Sequence, residues 1–93
     1  FDAHRADTLA GLELTAGDFA ALAARVRRFA PVAGRVVAVL EGGYDLDALR
    51  LSVGATAAAL LGERYVPEPA SSGGPGAEVL ERVRRAQEEA TAR

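Results

Sequence analysis

The chain has 93 residues, enough for one small domain but not for two. Its net charge is −2, with 11 basic residues against 13 acidic ones, which argues against a surface built to grip nucleic-acid phosphates. It contains no cysteine, so disulfides and thiolate metal sites are excluded and any metal must be held by carboxylate or imidazole.

Every basic residue is arginine, and alanine and glycine are abundant, a bias expected of a GC-rich bacterial genome. No apolar run approaches the roughly 20 residues that span a bilayer, and no signal peptide is visible. The expectation is a cytoplasmic protein with neither nucleic acid nor membrane as partner; oligomeric state is not legible. The chain opens at Phe1 without an initiator methionine, and its first residues read as the interior of a longer protein, so a fragment is expected.

Residues 1–13 carry Asp and Gly and show no helical or strand period. Thr15 can cap a helix, with Asp18 three residues on as a short version of the capping-box acid. Phe19, Leu22, Ala23, Val26, Phe29 and Ala30 then recur at helical spacing. Arg25, Arg27 and Arg28 suit the negative end of the helix dipole, and Pro31 and Gly34 are expected to stop it. Over residues 35–40, Val36, Val37, Ala38, Val39 and Leu40 form an unbroken apolar run. That predicts a short strand covered on both faces, as in a parallel sheet. A buried helix is the competing reading; the flanking Gly34 and Gly42 and the three valines favour strand.

Gly42 and Gly43 predict a tight turn, after which Asp45 or Asp47 caps a second helix. Leu46, Leu49, Val53, Ala57 and Leu60 are its predicted apolar face, and Gly62 its stop. Helix, strand, turn and helix make a half-unit of a wound α/β sheet. Residues 66–76 are rich in Pro, Gly and Ser and read as a linker or a meandering surface loop. A third helix is expected from Ala77 to Ala92, with Glu78–Arg82, Glu81–Arg85 and Arg85–Glu89 spaced for ion pairs. Its stripe of Val79, Leu80, Val83 and Ala86 is narrow, which predicts a loosely docked, mobile tail. The expected organisation is thus a domain over 1–65, a linker over 66–76 and a helical tail over 77–93.

Two clusters could carry chemistry. In Glu41-Gly42-Gly43-Tyr44-Asp45, the glycines follow the predicted strand, where ligand sites of open α/β sheets lie. They permit a sharp turn and close approach of a ligand. Tyr44 either packs on that loop or donates a hydrogen bond to a developing oxyanion. In Phe1-Asp2-Ala3-His4-Arg5-Ala6-Asp7, the Asp-x-His pair and second Asp suit a metal such as zinc. They equally suit a loop in which aspartates bond backbone N–H groups and the histidine is a surface hydrogen-bonding residue.

Taken together, Phe1-Asp2-Ala3-His4, Asp7-Thr8-Leu9, Leu12-Glu13-Leu14-Thr15 and Val39-Leu40-Glu41-Gly42-Gly43-Tyr44 resemble the C-terminal half of the histone deacetylase superfamily, from Phe1 to about Gly62. That superfamily includes bacterial acetoin-utilisation proteins and acetylpolyamine amidohydrolases. The resemblance implies an arginase/deacetylase-type fold, a parallel sheet flanked by helices. It also implies Zn2+-dependent hydrolysis of an acetylated lysine or acetylated small amine. Asp2 matches the last of three zinc ligands, and Tyr44 the tyrosine that polarises the acetyl carbonyl. Gly42 and Gly43 match the glycines that shape the pocket beside it, and Leu9 a hydrophobic wall of the acyl-amine tunnel. No ligand role carries over to His4 or Asp7: His4 is expected to support the loop and Asp7 to fix its backbone. The other zinc ligands and the catalytic histidine pair lie outside this chain, so the chain alone is expected to be inactive.

The family usually has proline where Thr8 stands, which leaves this loop freer at φ. Two alternatives follow from the residues. A nucleotide-binding half-domain is disfavoured, because the Gly pair lacks a Gly-x-Gly-x-x-Gly pattern and Asp45 would face the anion. A non-catalytic remnant kept as an interaction piece is the other.

Overall fold

In a computed structural model, residues 1–30, 32 and 34–92 are described. They form three helices: α1 (Ala16–Phe29), α2 (Leu46–Leu60) and α3 (Ala77–Thr91). Among them there is no β-strand, only an isolated parallel bridge between His4 and Leu14. The expected α/β fold with a parallel sheet is therefore overturned. Residues 35–40 run as irregular chain, with Val37 92% and Val39 86% exposed. The physical reason is pairing. A strand is defined by its ladder of backbone hydrogen bonds, and an apolar run supplies side chains to bury but no partner. No other described segment lies alongside it in a ladder.

The helix ends follow local chemistry closely. Thr15 and Asp18 form a complete capping box at α1, each side chain accepting from the other's backbone N–H. Ala30 leaves α1 in an extended conformation, the bias that a following proline imposes. Pro31 itself, expected to stop the helix, lies outside the described residues. Asp45, rather than Asp47, caps α2 through the Ala48 N–H. Beyond α2, Gly62 sits at φ +78°, its N–H bonding Ala59 and the next N–H, of Glu63, bonding Ala58. That paired closure is a Schellman motif, which calls for glycine at this position.

Among the described residues, α1 and α2 are the only pair of helices in contact, and the residues that each buries are small. Ala16, Gly17 and Ala23 are buried on α1, and Ala48, Ser52 and Ala55 on α2. The large residues expected to form the core face elsewhere: Leu22, Val26 and Phe29 on α1 and Leu46 and Val53 on α2 are exposed. Phe1 still packs edge-on against Phe19, with ring centroids 4.9 Å apart.

α3 has no buried residue. Arg84 pairs with Glu81 and Glu88, and Arg85 with Glu81, so of the three spacings expected, Glu81–Arg85 forms. The radius of gyration is 15.4 Å, against about 12 Å for a compact chain of this length. No helix among the described residues is long and apolar enough to cross a membrane.

After α2 the chain turns back over the helix pair. The Tyr65 ring lies on Gly54, where an added Cβ would stand 3.1 Å from it. Residues 68–70 then cross Gly17 so closely that a Cβ there would meet Ala70 N and Glu68 O at 2.5 Å. Thr15 Oγ1 donates to Pro69 O at 2.7 Å and Ser71 N to Asp18 Oδ1 at 2.9 Å. The stretch read as a linker is thus tied down over its first part.

Candidate functional site

The two sequence clusters meet. The loop of residues 1–9 lies against the turn of residues 41–45, and one side chain does most of the stitching. Asp7 is 5% exposed. Its Oδ2 accepts from the Tyr44 N–H at 2.7 Å and the Asp45 N–H at 3.2 Å, and its Oδ1 from the Leu9 N–H at 2.9 Å. The bonds from Leu9 and Tyr44 favour the ionised carboxylate and, with that from Asp45, hold Asp7 below the ordinary aspartate pKa despite its burial. The Phe1 nitrogen adds bonds to the Glu41 and Gly42 carbonyls, each 3.2 Å.

Both turn glycines are required by geometry. Gly42 has φ +68° and Gly43 φ +113°, in the region L side chains avoid. A Cβ on Gly42 would stand 2.8 Å from Asp2 Oδ1, and one on Gly43 3.0 Å from Leu49 Cδ1 and 3.2 Å from Phe1 Cβ. The Asp2 carboxylate therefore rests directly on the turn that leads into Tyr44. Asp7, Asp18 and Asp45 spend their oxygens on backbone N–H groups, whereas half-exposed Asp2 lies over Gly42. Tyr44 is 66% exposed, and Leu9 is also exposed on the loop.

His4 bonds to the segment after α2. It is 3% exposed; Nδ1 accepts from the Ala6 N–H at 3.0 Å, so Nε2 carries the proton and donates to Glu68 Oε1 at 2.6 Å. With both nitrogens engaged, the ring supports the loop. Glu68 Oε1 also accepts from the Ala16 N–H at 2.8 Å, and Arg5 reaches Oε2 at 3.4 Å. Burial alone would raise the Glu68 pKa, but the hydrogen bonds from His4 and Ala16, with the charge of Arg5, bring it below the ordinary glutamate range. Sequence reasoning missed Glu68, which stood in a loop. The available signal was Pro67-Glu68-Pro69, a glutamate whose backbone is restricted on both sides.

As a metal centre the site is partial. Asp2 is a fitting oxygen donor for zinc, but zinc sites need three or four protein ligands. No three metal-ligating side chains gather among the described residues. No step through a metal can be built from this chain alone.

The comparison with known families is specific: the histone deacetylase domain matches residues 1–60, and the chain belongs to that family. It is 52% identical over 65 residues to "Histone deacetylase 10, chloroplastic" of Oryza sativa subsp. japonica, a match covering 68% of this chain and 15% of that protein. It is 45% identical over 65 residues to "Histone deacetylase 14, chloroplastic" of Arabidopsis thaliana, with the same coverage. A third relative, "Type-2 histone deacetylase 1" of Dictyostelium discoideum, is 44% identical over 52 residues, 54% of this chain and 4% of that protein. The chain thus spans about 15% of the length of the first two relatives. No solved structure matches the chain.

Proposed function

We propose that this chain is one part of a zinc-dependent deacetylase that hydrolyses the amide of an acetylated lysine or another acetylated amine. Membership of the histone deacetylase domain family supports the reaction class. The observation that carries the residue assignment is the Asp7 carboxylate, which joins the loop bearing Asp2 to the backbone of Tyr44. In this reading Asp2 supplies one ligand to a zinc ion whose remaining ligands belong to other parts of the protein. When bound, zinc supplies Lewis acidity and a water acidic enough to attack near neutral pH.

Tyr44 donates its phenolic O–H to the carbonyl oxygen as negative charge develops there. Gly42 and Gly43 keep the turn free of side chains beside it, and Leu9 lines the approach of the acylated amine. Loss of one oxyanion donor typically slows turnover about 100- to 1,000-fold. Tyr44→Phe in the full-length protein is expected to do so while zinc content is unchanged. Turnover equal to the parent would refute the role. Because one carboxylate does not hold zinc, the purified 93-residue chain is expected to release no acetate from acetyl-lysine substrates.

A further inference from the structure

The region matched to the family ends at residue 60, yet the Asp2 loop is anchored by a residue beyond it. Glu68 joins three backbone regions through one carboxylate: the loop, by way of His4; the start of α1, by way of the Ala16 N–H; and its own strap of residues 65–71. The loop has limited support elsewhere on this side, the bonds from Arg5 N to Leu14 O and from Leu14 N to Ala3 O. Those two set its height beside Leu14. The His4–Glu68 bond sets its rotation, because His4 is fixed at both ring nitrogens. His4 stands two residues after Asp2 in the same loop.

Gly17 supplies an independent observation. The strap passes where the Gly17 side chain would be, and Thr15 and Asp18 bond it on either side. The close passage brings Glu68 within reach of a buried histidine that a more distant loop could not contact.

We propose that Glu68 is a positioning residue of the site, clamping the Asp2 loop through His4 so that the segment after α2 is an integral part of the machinery. The proposal rests on the roles assigned to Asp2 and Tyr44 above. It extends the site beyond the residues that the family's domain matches.

The test uses the full-length protein with four variants: Glu68→Ala, Glu68→Asp, Glu68→Gln and Asp2→Ala. Three quantities are read: kcat and KM separately, zinc affinity by chelator competition, and amide exchange at Ala6 and Ala16. Glu68→Ala is expected to lower kcat about 100-fold with little change in KM, as for an ångström-scale misplacement. It should weaken zinc about 10-fold and accelerate exchange at both amides. Glu68→Asp, a methylene too short to reach His4, should behave alike. Glu68→Gln keeps an oxygen for His4 and Ala16 and should recover most of kcat and zinc affinity. Parental kcat and zinc affinity in Glu68→Asp would overturn the clamp, as would a Gln variant as impaired as Ala. If Asp2→Ala itself leaves zinc affinity and turnover intact, the deacetylase reading of this site fails instead. If Asp2→Ala loses both while Glu68→Ala matches the parent, only the clamp fails.

Discussion

Gly17→Ala separates helix propensity from tertiary packing, because the two predict opposite signs. Gly17 lies in the first turn of α1. Propensity alone says that alanine should stabilise this helix by up to about 1 kcal/mol. The structure says otherwise, because the new methyl would stand 2.5 Å from Ala70 N and Glu68 O and 2.7 Å from Pro69 C. All three are backbone atoms, which move only if the strap moves. Lifting it breaks or stretches the bonds from Thr15 Oγ1 to Pro69 O, from Ala16 N to Glu68 and from Ser71 N to Asp18. At about 0.5–1.5 kcal/mol each, these sum to roughly 1.5–4.5 kcal/mol. After the propensity gain, the net is a destabilisation of about 0.5–3.5 kcal/mol. Urea denaturation followed by circular dichroism measures the midpoint, and hydrogen exchange at Ala16 and Ser71 localises the change. A midpoint that rises, with both amides as protected as in the parent, would refute the packing argument.

Other perturbations have equally definite outcomes. Gly42→Ala places a side chain at φ +68° against Asp2, and is expected to cost about 1–2 kcal/mol from backbone handedness alone, read as a lower denaturation midpoint. Asp7→Ala removes the acceptor shared by Leu9, Tyr44 and Asp45, so exchange at those three amides should accelerate while α3 amides are unchanged. Asp7, Asp18 and Glu68 all have folded pKa values below their ordinary ones. Each therefore contributes stability that is complete above about pH 5 and is lost as pH falls through the ordinary value near 4 and the lower folded value. Denaturation midpoints should fall steadily below pH 5, and Glu68→Gln should flatten part of that slope. Removing residues 77–93 should leave the midpoint of the α1–α2 pair unchanged, because α3 touches neither helix.

The amino-acid sequence by itself determined the features that depend on near neighbours. The capping box of Thr15 and Asp18, the Asp45 cap and the Gly62 stop are each settled within a few residues, because helix ends are satisfied by short-range hydrogen bonds. The family was also legible, from the motifs of the Asp-x-His loop and the Gly-Gly-Tyr turn. Tertiary structure decided what depends on distant partners. An apolar run over residues 35–40 promised a strand, but a strand exists only where another chain segment pairs with it. Helical periodicity placed the large apolar residues inward, yet the residues that α1 and α2 bury are Ala16, Gly17, Ala23, Ala48, Ser52 and Ala55, and Gly17 is covered by the strap of residues 68–70, distant along the chain. Asp7 and Glu68 gained their roles from atoms 37 and 64 residues away. The sequence suggested that Asp7 would fix backbone, but which distant atoms either carboxylate bonds is set by the path of the folded chain.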